Sequence, residues 1–205
     1  MTFPLEVFLT GGTGVLGTEL IRQSRDINFV APSSAECDIT DNKSVIDNIK
    51  NFQGHIVLHA AASTNVTSIE TDFIDACEIN VCGTFNIIKA CHQYNKKLIF
   101  ISTDYVFDGE NGLYKTTDPI NPLSKYAKSK ASAELMVRMY DNSLIIRTSF
   151  FPNVFPYNQA FIDQWSSKDY VDIIAPKILK MVITNQKGIV HIGSKRRSIY
   201  EIAKS

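Results

Sequence analysis

Tyr126 and Lys130 stand four residues apart in the stretch Pro-Leu-Ser-Lys-Tyr-Ala-Lys-Ser-Lys, residues 122–130. The stretch reads as the opening of a helix, and a four-residue spacing puts both side chains on one helix face. A free tyrosine titrates at about 10 and is a poor proton donor at neutral pH. A nearby ammonium favours the phenolate and lowers that value. A shift of about three units would need roughly 4 kcal/mol of differential interaction. The pair is therefore an acid/base device suited to a sugar or steroid oxygen. The same spacing is also common on solvated helix faces, so the surrounding elements have to decide its meaning.

A chain of 205 residues suits one domain with a sizeable core. Basic and acidic residues balance at 21 each, which gives no global pull towards nucleic acid or an anionic membrane. No apolar run is long enough to span a bilayer, and no basic-then-apolar leader opens the chain. The expected compartment is the cytosol. Cys37, Cys77, Cys82 and Cys91 match no zinc spacing, and no metal site is expected. Cys77 and Cys91 fall at apolar helical positions and read as packing residues.

Leu5 to Thr10 reads as a buried strand. Gly-Gly-Thr-Gly-Val-Leu-Gly, residues 11–17, follows and opens a helix. Gly11, Gly14 and Gly17 in that context suit a tight turn, a close backbone approach to a pyrophosphate and helix-on-strand packing. The helix N-terminus then offers free N–H groups to phosphate. The second strand, Asn28 to Ala31, is followed by Pro-Ser-Ser with no acidic residue. The hydroxyls of Ser33 and Ser34 suit a ribose 2′-phosphate, which leans the reading towards NADP. Glu36, slightly later, keeps NAD open. Asp38 suits an adenine amino group, while Thr40 or Asp41 suits the N-cap of a helix from Lys43 to Asn51.

His55 to Ala62 reads as the third strand, ending in small residues that leave room for a ligand. His55 and His59 lack any metal or catalytic pattern and read as structural. Ile69 to Tyr94 reads as one long helix with Phe73, Ala76, Ile79, Phe85, Ile88 and Cys91 facing inward. Asn80, inside it, suits a hydrogen bond to a neighbouring strand or a bound-water path. The fourth strand, Lys97 to Ser102, delivers Thr103 to the carboxyl edge of the sheet, where open α/β folds bind ligands. Residues 109–121 read as a loop. The helix of Tyr126 runs to about Tyr140, and the fifth strand covers Ser143 to Thr148. Residues 150–158 read as irregular. Helical periodicity over 159–182 is expected to break near Pro176. Lys187 to Ile192 reads as the sixth strand, and Ser198 starts a short helix. Continuous apolar strands alternating with helices imply a doubly wound parallel sheet of three αβα layers, Rossmann-like and spanning 1–205 as one domain.

With these pieces placed, the chain resembles the extended short-chain dehydrogenase/reductase superfamily, and within it the dTDP-4-dehydrorhamnose reductase family. The matching stretches are 10–17, Asp38-Ile-Thr, His59-Ala-Ala-Ala with Thr64, Asn80-Val-Cys-Gly-Thr, Ser102-Thr-Asp-Tyr-Val-Phe-Asp-Gly, Tyr126-Ala-Lys-Ser-Lys and Arg147-Thr-Ser. The resemblance implies that Gly11, Gly14 and Gly17 cradle a pyrophosphate, with backbone contact from Val15 and Leu16. Ser33 lies at the adenosine ribose, Asp38 and Ile39 flank the adenine, and Ala60, Ala61 and Ala62 line the ribose side. Asn80, Ser102 and Thr148 complete the cofactor set. Lys130 holds the nicotinamide ribose and lowers the pKa of Tyr126, which protonates the sugar C4 oxygen. Thr103 holds that oxygen, and Thr64, Asp104, Tyr105, Ser149 and Trp165 face the sugar. Substrate-side elements fall at about 103–122 and 149–185. Between Arg147 and Asp163 the family's segment is compressed, and the chain stops at Ser205 where the family continues. The substrate lobe is therefore expected to be reduced, with Gln164, Trp165 and Tyr170 left to close it.

The implied activity is reduction of a nucleotide-linked 4-keto-6-deoxysugar by NADPH, with NADH possible. Two rivals stand beside it. One is a non-catalytic dinucleotide-binding subunit, and the other a nucleotide-sugar epimerase or dehydratase. A dehydratase usually carries Asp-Glu after its threonine, whereas Thr103 is followed by Asp104-Tyr105. By analogy with the superfamily, a homodimer through helices flanking the sheet is expected.

Overall fold

β1 (Leu5–Thr10) is the strand about which the chain turns, because both its neighbours are formed by the next two strands. In this computed structural model, which describes residues 4–205, β2 (Ile27–Val30) pairs on one side of β1. β3 (Ile56–His59) pairs on the other side. The first three residues, on which the expectation of no leader partly rests, lie outside the described residues. β4 (Lys97–Ser102) and β5 (Ser143–Thr148) extend the sheet beyond β3, and every residue of both is buried. All pairings within this six-stranded sheet are parallel. Such strands need helices on both faces, which is why they read as unbroken apolar runs.

The helices divide accordingly. α1 (Val15–Gln23) brings Leu16 and Leu20 to one face. α2 (Asn42–Asn51) brings Val45 and Ile49 to the other, joined there by Val57, Leu98 and Phe100. Asp41 is the N-cap of α2, its side chain accepting from the Lys43 N–H. Of Thr40 and Asp41, the cap is therefore Asp41.

Three departures from the expected elements have physical causes. The long helix expected over 69–94 is four pieces: α3 (Val66–Thr71), α4 (Ile74–Cys77), a π-helical turn (Glu78–Gly83) and α5 (Thr84–Gln93). Asp72 breaks it by taking an extended conformation and accepting from the Ile74 N–H, a local bond that competes with the helix. Phe73 and Phe85, expected inside, are nearly half exposed. Each sits under a lysine ammonium, from Lys125 and Lys89 respectively.

The remaining chain contains α6 (Lys125–Val137) after β4, with Ser124 as its N-cap. Beyond β5, β6 (Phe150–Phe151) pairs in parallel with β8 (Asp169–Tyr170), so the segment expected to be irregular holds a short strand. β7 (Trp165–Ser166) pairs antiparallel with β10 (Arg197–Ser198).

The third departure is α7 (Val171–Val182), which begins later than expected and runs unbroken through Pro176. Proline removes the N–H that would bond to the carbonyl four residues back. That carbonyl belongs to Asp172, and the Gln23 side chain donates to it at 2.9 Å. β9 (Gly188–Ile192) closes the sheet beside β5. The capping box of Ser198 and Glu201 starts α8 (Ile199–Ala203). None of the described helices is long and apolar enough to cross a membrane.

Candidate functional site

The strand order reverses between β1 and β3, and both strands end at the same edge of the sheet. A doubly wound sheet presents its ligand crevice at such a switch point. Gly11 lies there with a φ of 77°, and a Cβ on it would fall 2.6 Å from the Ala61 nitrogen. Gly17 is packed against the Gly11 carbonyl and Gly12 Cα, so α1 starts directly on the turn. Gly14 differs, since a Cβ there would approach only the Gly11 oxygen, at 3.3 Å. Its face, with that of Val15, is exposed, whereas Leu16 is buried in the core. The open side is where a pyrophosphate would meet N–H groups at the start of α1.

A buried chain of hydrogen bonds holds β1 and β3 in place. The Thr84 hydroxyl donates to the Asn80 carbonyl at 2.7 Å, so it accepts from His59 Nε2 at 3.0 Å. His59 Nδ1 is then the acceptor for the Thr10 hydroxyl at 2.7 Å. Burial pushes the His59 pKa down to about 3, with Lys130 adding to the effect. A neutral imidazole with a fixed tautomer is a structural element, in line with the sequence reading.

At the adenosine end the serine after β2 already has a partner. The Ser33 hydroxyl does not wait for a phosphate: it donates to the Glu36 carboxylate at 2.8 Å, as does the Ser33 N–H. These two bonds hold the Glu36 carboxyl below its ordinary pKa. The Glu36 carboxylate therefore sits just after β2. The signal was present in sequence as Glu36 itself, three residues on. Asp38 is exposed and accepts from the Thr40 N–H and hydroxyl. Ile39 is buried against Gly83. Ala60, Ala61 and Ala62 are partly exposed beside Gly11.

Asn80 projects from the π-helical turn, a form of local unwinding often found at functional sites. Its Nδ2 donates to the Ser63 carbonyl at 3.0 Å and to the Ser129 hydroxyl at 2.9 Å, while its Oδ1 accepts from the Ser63 N–H at 2.8 Å. Ser129 in turn donates to the Tyr126 carbonyl. The expected bond to a neighbouring strand is thus a clamp on the segment after β3 and on α6. Thr64, next in that segment, is exposed.

Tyr126, Lys130 and Thr103 converge at the carboxyl end of β4. Burial pushes the Tyr126 pKa up to about 12, and the Thr103 hydroxyl beside it works the other way. Asp104 and Tyr105 add to the rise. The Lys130 ammonium is turned elsewhere. It donates to the Ile101 carbonyl at 2.9 Å and lies 4.2 Å from the centre of the Phe100 ring. Burial lowers its pKa to about 7, opposed by Glu134. The Lys130 ammonium is thus bonded to the strand carbonyl two residues before the phenol's own threonine partner.

Asp104 accepts from the Ser149 hydroxyl. Tyr105 stands edge-on to Tyr126, 6.2 Å between centroids, and its hydroxyl accepts from Lys168 at 2.7 Å. Lys168 was not singled out in sequence, for nothing in its neighbourhood marks it. Ser102 is buried against Glu134. Thr148 is buried, and its Oγ1 is the one buried side-chain polar atom without a partner among the described residues. Trp165 is half exposed, with the Arg196 guanidinium 4.7 Å over its ring. Tyr170 donates to the Ile202 carbonyl, packs on Phe151 and lines a concavity beside Asp169. This concavity, of about 1100 Å³, lies between Asp169, Lys177 and Arg197, away from Thr103, Tyr126 and Lys130.

The model of the RmlD substrate binding domain family matches residues 5–164. The chain belongs to this family. It is 33% identical over 179 residues to the dTDP-4-dehydrorhamnose reductase of Aggregatibacter actinomycetemcomitans, a match covering 84% of this chain and 61% of that one. It is also 33% identical over 140 residues to methionine adenosyltransferase 2 subunit beta of Bos taurus, covering 64% and 42% respectively. Among solved structures, that of dTDP-4-dehydrorhamnose reductase from Bacillus anthracis in complex with NADP superposes with a TM-score of 0.90 at 27% identity. It covers all of this chain and 80% of that one. The RmlD-type fold is therefore shown over the whole described chain, and the chain spans about three fifths of the length of the curated reductase.

Proposed function

We propose that the chain reduces a nucleotide-linked 4-keto-6-deoxysugar at C4, using NADPH or NADH. The observation that carries this reading is the Tyr126 phenol set beside the Thr103 hydroxyl at the sheet edge that also bears the glycine turn. The residues fit a dinucleotide. Gly11 and Gly17 make a turn that no side chain could share, Gly14 leaves an open face, and the Thr148 hydroxyl is a buried group with an unmade hydrogen bond. When bound there, the nicotinamide would supply the hydride.

The chain's own residues would do the rest. Thr103 donates a hydrogen bond to the substrate C4 oxygen and orients it. Tyr126 gives its Oη proton to that oxygen as charge develops, and solvent restores the proton afterwards. Such a positioned acid contributes typically 10² to 10⁴-fold. Lys130, freed from Ile101, would hold the nicotinamide ribose. Asp104, Tyr105 and Ser149 form the wall on the substrate side, with Thr64 and Trp165 further out.

The test is oxidation of NADPH and NADH, followed by absorbance, with a panel of nucleotide-4-keto-6-deoxyhexoses. Tyr126→Phe should lower turnover at least about hundredfold. Unchanged turnover in that variant would remove Tyr126 from the role of acid. The similarity to methionine adenosyltransferase 2 subunit beta favours one other reading, a dinucleotide-binding subunit without turnover. Absence of turnover with any sugar, together with a stable complex with a second protein, would select it.

A further inference from the structure

Glu134 lies one helical turn beyond Lys130, and its carboxylate is wholly buried. The Ser102 hydroxyl donates to its Oε2 at 2.6 Å. Arg147 Nη2 donates to Oε1 at 2.7 Å and Arg147 Nε to Oε2 at 3.1 Å. Arg138 Nη2 donates to Oε1 at 2.5 Å. Arg147, itself buried, donates to His191 Nε2 at 3.2 Å and lies over the Phe107 ring. The carboxylate thus joins α6 to the ends of β4 and β5 in one contact.

The register of these contacts is the informative part. Tyr126, Lys130 and Glu134 follow one another at four-residue intervals on a single face of α6. The three successive residues at the end of β4 answer them: Thr103 beside the Tyr126 phenol, the Ile101 carbonyl under the Lys130 ammonium, and the Ser102 hydroxyl on Glu134. A slip of α6 by one residue would turn this face by about 100° and break all three contacts together. Of the three, only the Glu134 contact reaches a second strand. A buried ion pair is also a poor way to gain stability, since apolar residues of similar volume often do as well or better.

We infer that Glu134 is a positioning residue for Tyr126 and Lys130: it fixes the register of their helix on the sheet edge and sets a negative charge one turn beyond the lysine. This rests on the proposed reductase reading for its kinetic consequence, though not for its structural one. The titratable groups that meet Lys130 are Glu134 on its own helix and His59 from β3, while Asp104 and Tyr105, from the turn after β4, act on Tyr126. Arg147 from β5 and His191 from β9 reach Lys130 through Glu134, and Glu70 from α3 meets only the N-terminal end of α6 at Lys125. Among these, Glu134 is the group that favours the ammonium, against a burial that disfavours it.

The experiment compares three variants with the wild type. Glu134→Gln removes the charge and keeps the shape. Glu134→Gln combined with Arg147→Met leaves no buried guanidinium stranded, which keeps the test available if the single variant does not fold. Glu134→Asp keeps the charge on a shorter stem. Two readouts are taken: the pH profile of kcat with KM for the sugar, and the titration of Lys130 followed by NMR of its labelled ε-carbon.

In the folded neutral variants the Lys130 midpoint should fall by about one unit, the lower end for loss of a neighbouring opposite charge. The alkaline limb of kcat should move down with it. kcat should drop about tenfold while KM stays within about twofold. Glu134→Asp should restore the titration and leave kcat lowered, separating charge from register. A folded neutral variant whose Lys130 titration does not move overturns the inference. Wild-type protein that binds dinucleotide without turning over any sugar would instead sink the reductase reading, and the NMR titration would still decide the role of Glu134.

Discussion

Replacing Asn80 by alanine tests whether the π-helical turn is coupled to the acid. Asn80 is 1% exposed and makes three side-chain hydrogen bonds, two to the Ser63 backbone and one to Ser129. Each is worth about 1 kcal/mol net, and stranded buried partners cost more than that. The loss should be about 3 kcal/mol. For a domain of this size that corresponds to a fall in Tm of roughly 6 to 12 °C. Because Ser129 also donates to the Tyr126 carbonyl, the start of α6 should loosen, and kcat should fall with stability. Asn86→Ala is the control. Asn86 is buried and donates to the carbonyls of Ile39 and Thr40, away from Tyr126. It should lower Tm and leave kcat within about twofold, since it strands acceptors of the same kind elsewhere. Urea unfolding and sugar-dependent NADPH oxidation measure the two quantities. If Asn80→Ala lies within about 0.5 kcal/mol of the wild type, the clamp carries no energy and the argument fails. If stability falls while kcat does not, the clamp does not reach Tyr126.

Three further outcomes follow from the same geometry. Gly17→Ala should cost about 1 to 3 kcal/mol by overpacking against Gly11 and Gly12, and should weaken dinucleotide binding, read by fluorescence titration. If the adenosine ribose binds beside Ser33, Glu36→Gln should lower KM for NADPH about threefold and leave KM for NADH unchanged, because it removes an exposed negative charge held at Ser33; an equal effect on both cofactors would place Glu36 elsewhere. His59 has a folded pKa depressed to about 3, below its value of about 6.5 in the unfolded chain. Below pH 6.5 the unfolded state binds a proton that the native state does not, so stability is lost as pH falls from about 6.5 towards 3. Roughly 3 kcal/mol of this should be gone by pH 4, and a folded His59→Gln variant should show a correspondingly shallower decline by urea unfolding.

Elements fixed by local pattern were legible in the sequence. β5 was delimited to the residue, β1 and the glycine turn were placed, and α2 was correct to within a residue. Misreadings arose where a tertiary partner overrules a local rule. Asp72 ends a helix that periodicity would continue, because its own side chain caps the next one. Phe73 and Phe85 look like core residues on a helical wheel and find lysines at the surface instead.

The site divides in the same way. The spacing of Tyr126, Lys130 and Thr103 was readable because it follows from helix geometry and the strand edge. The direction of the Lys130 ammonium was not, since it depends on a backbone carbonyl in another element. Nor was the hold of Glu36 on Ser33, where two plausible ribose partners turned out to satisfy one another. Glu134 was visible only as one more charge on a helix, four residues past the lysine.

Pro176 shows how a misfit residue can organise structure far away in the chain. The proline frees the Asp172 carbonyl, and the donor that fills it is Gln23, from the last turn of α1, 149 positions earlier. α1 begins at the glycine turn and α7 at the end of β8, and the two lie against each other on one face of the sheet. The bond acts as an index mark between them, since neither helix can slide along the other without breaking it. The glycine turn at the start of α1 is thereby tied to a helix from the far end of the sequence.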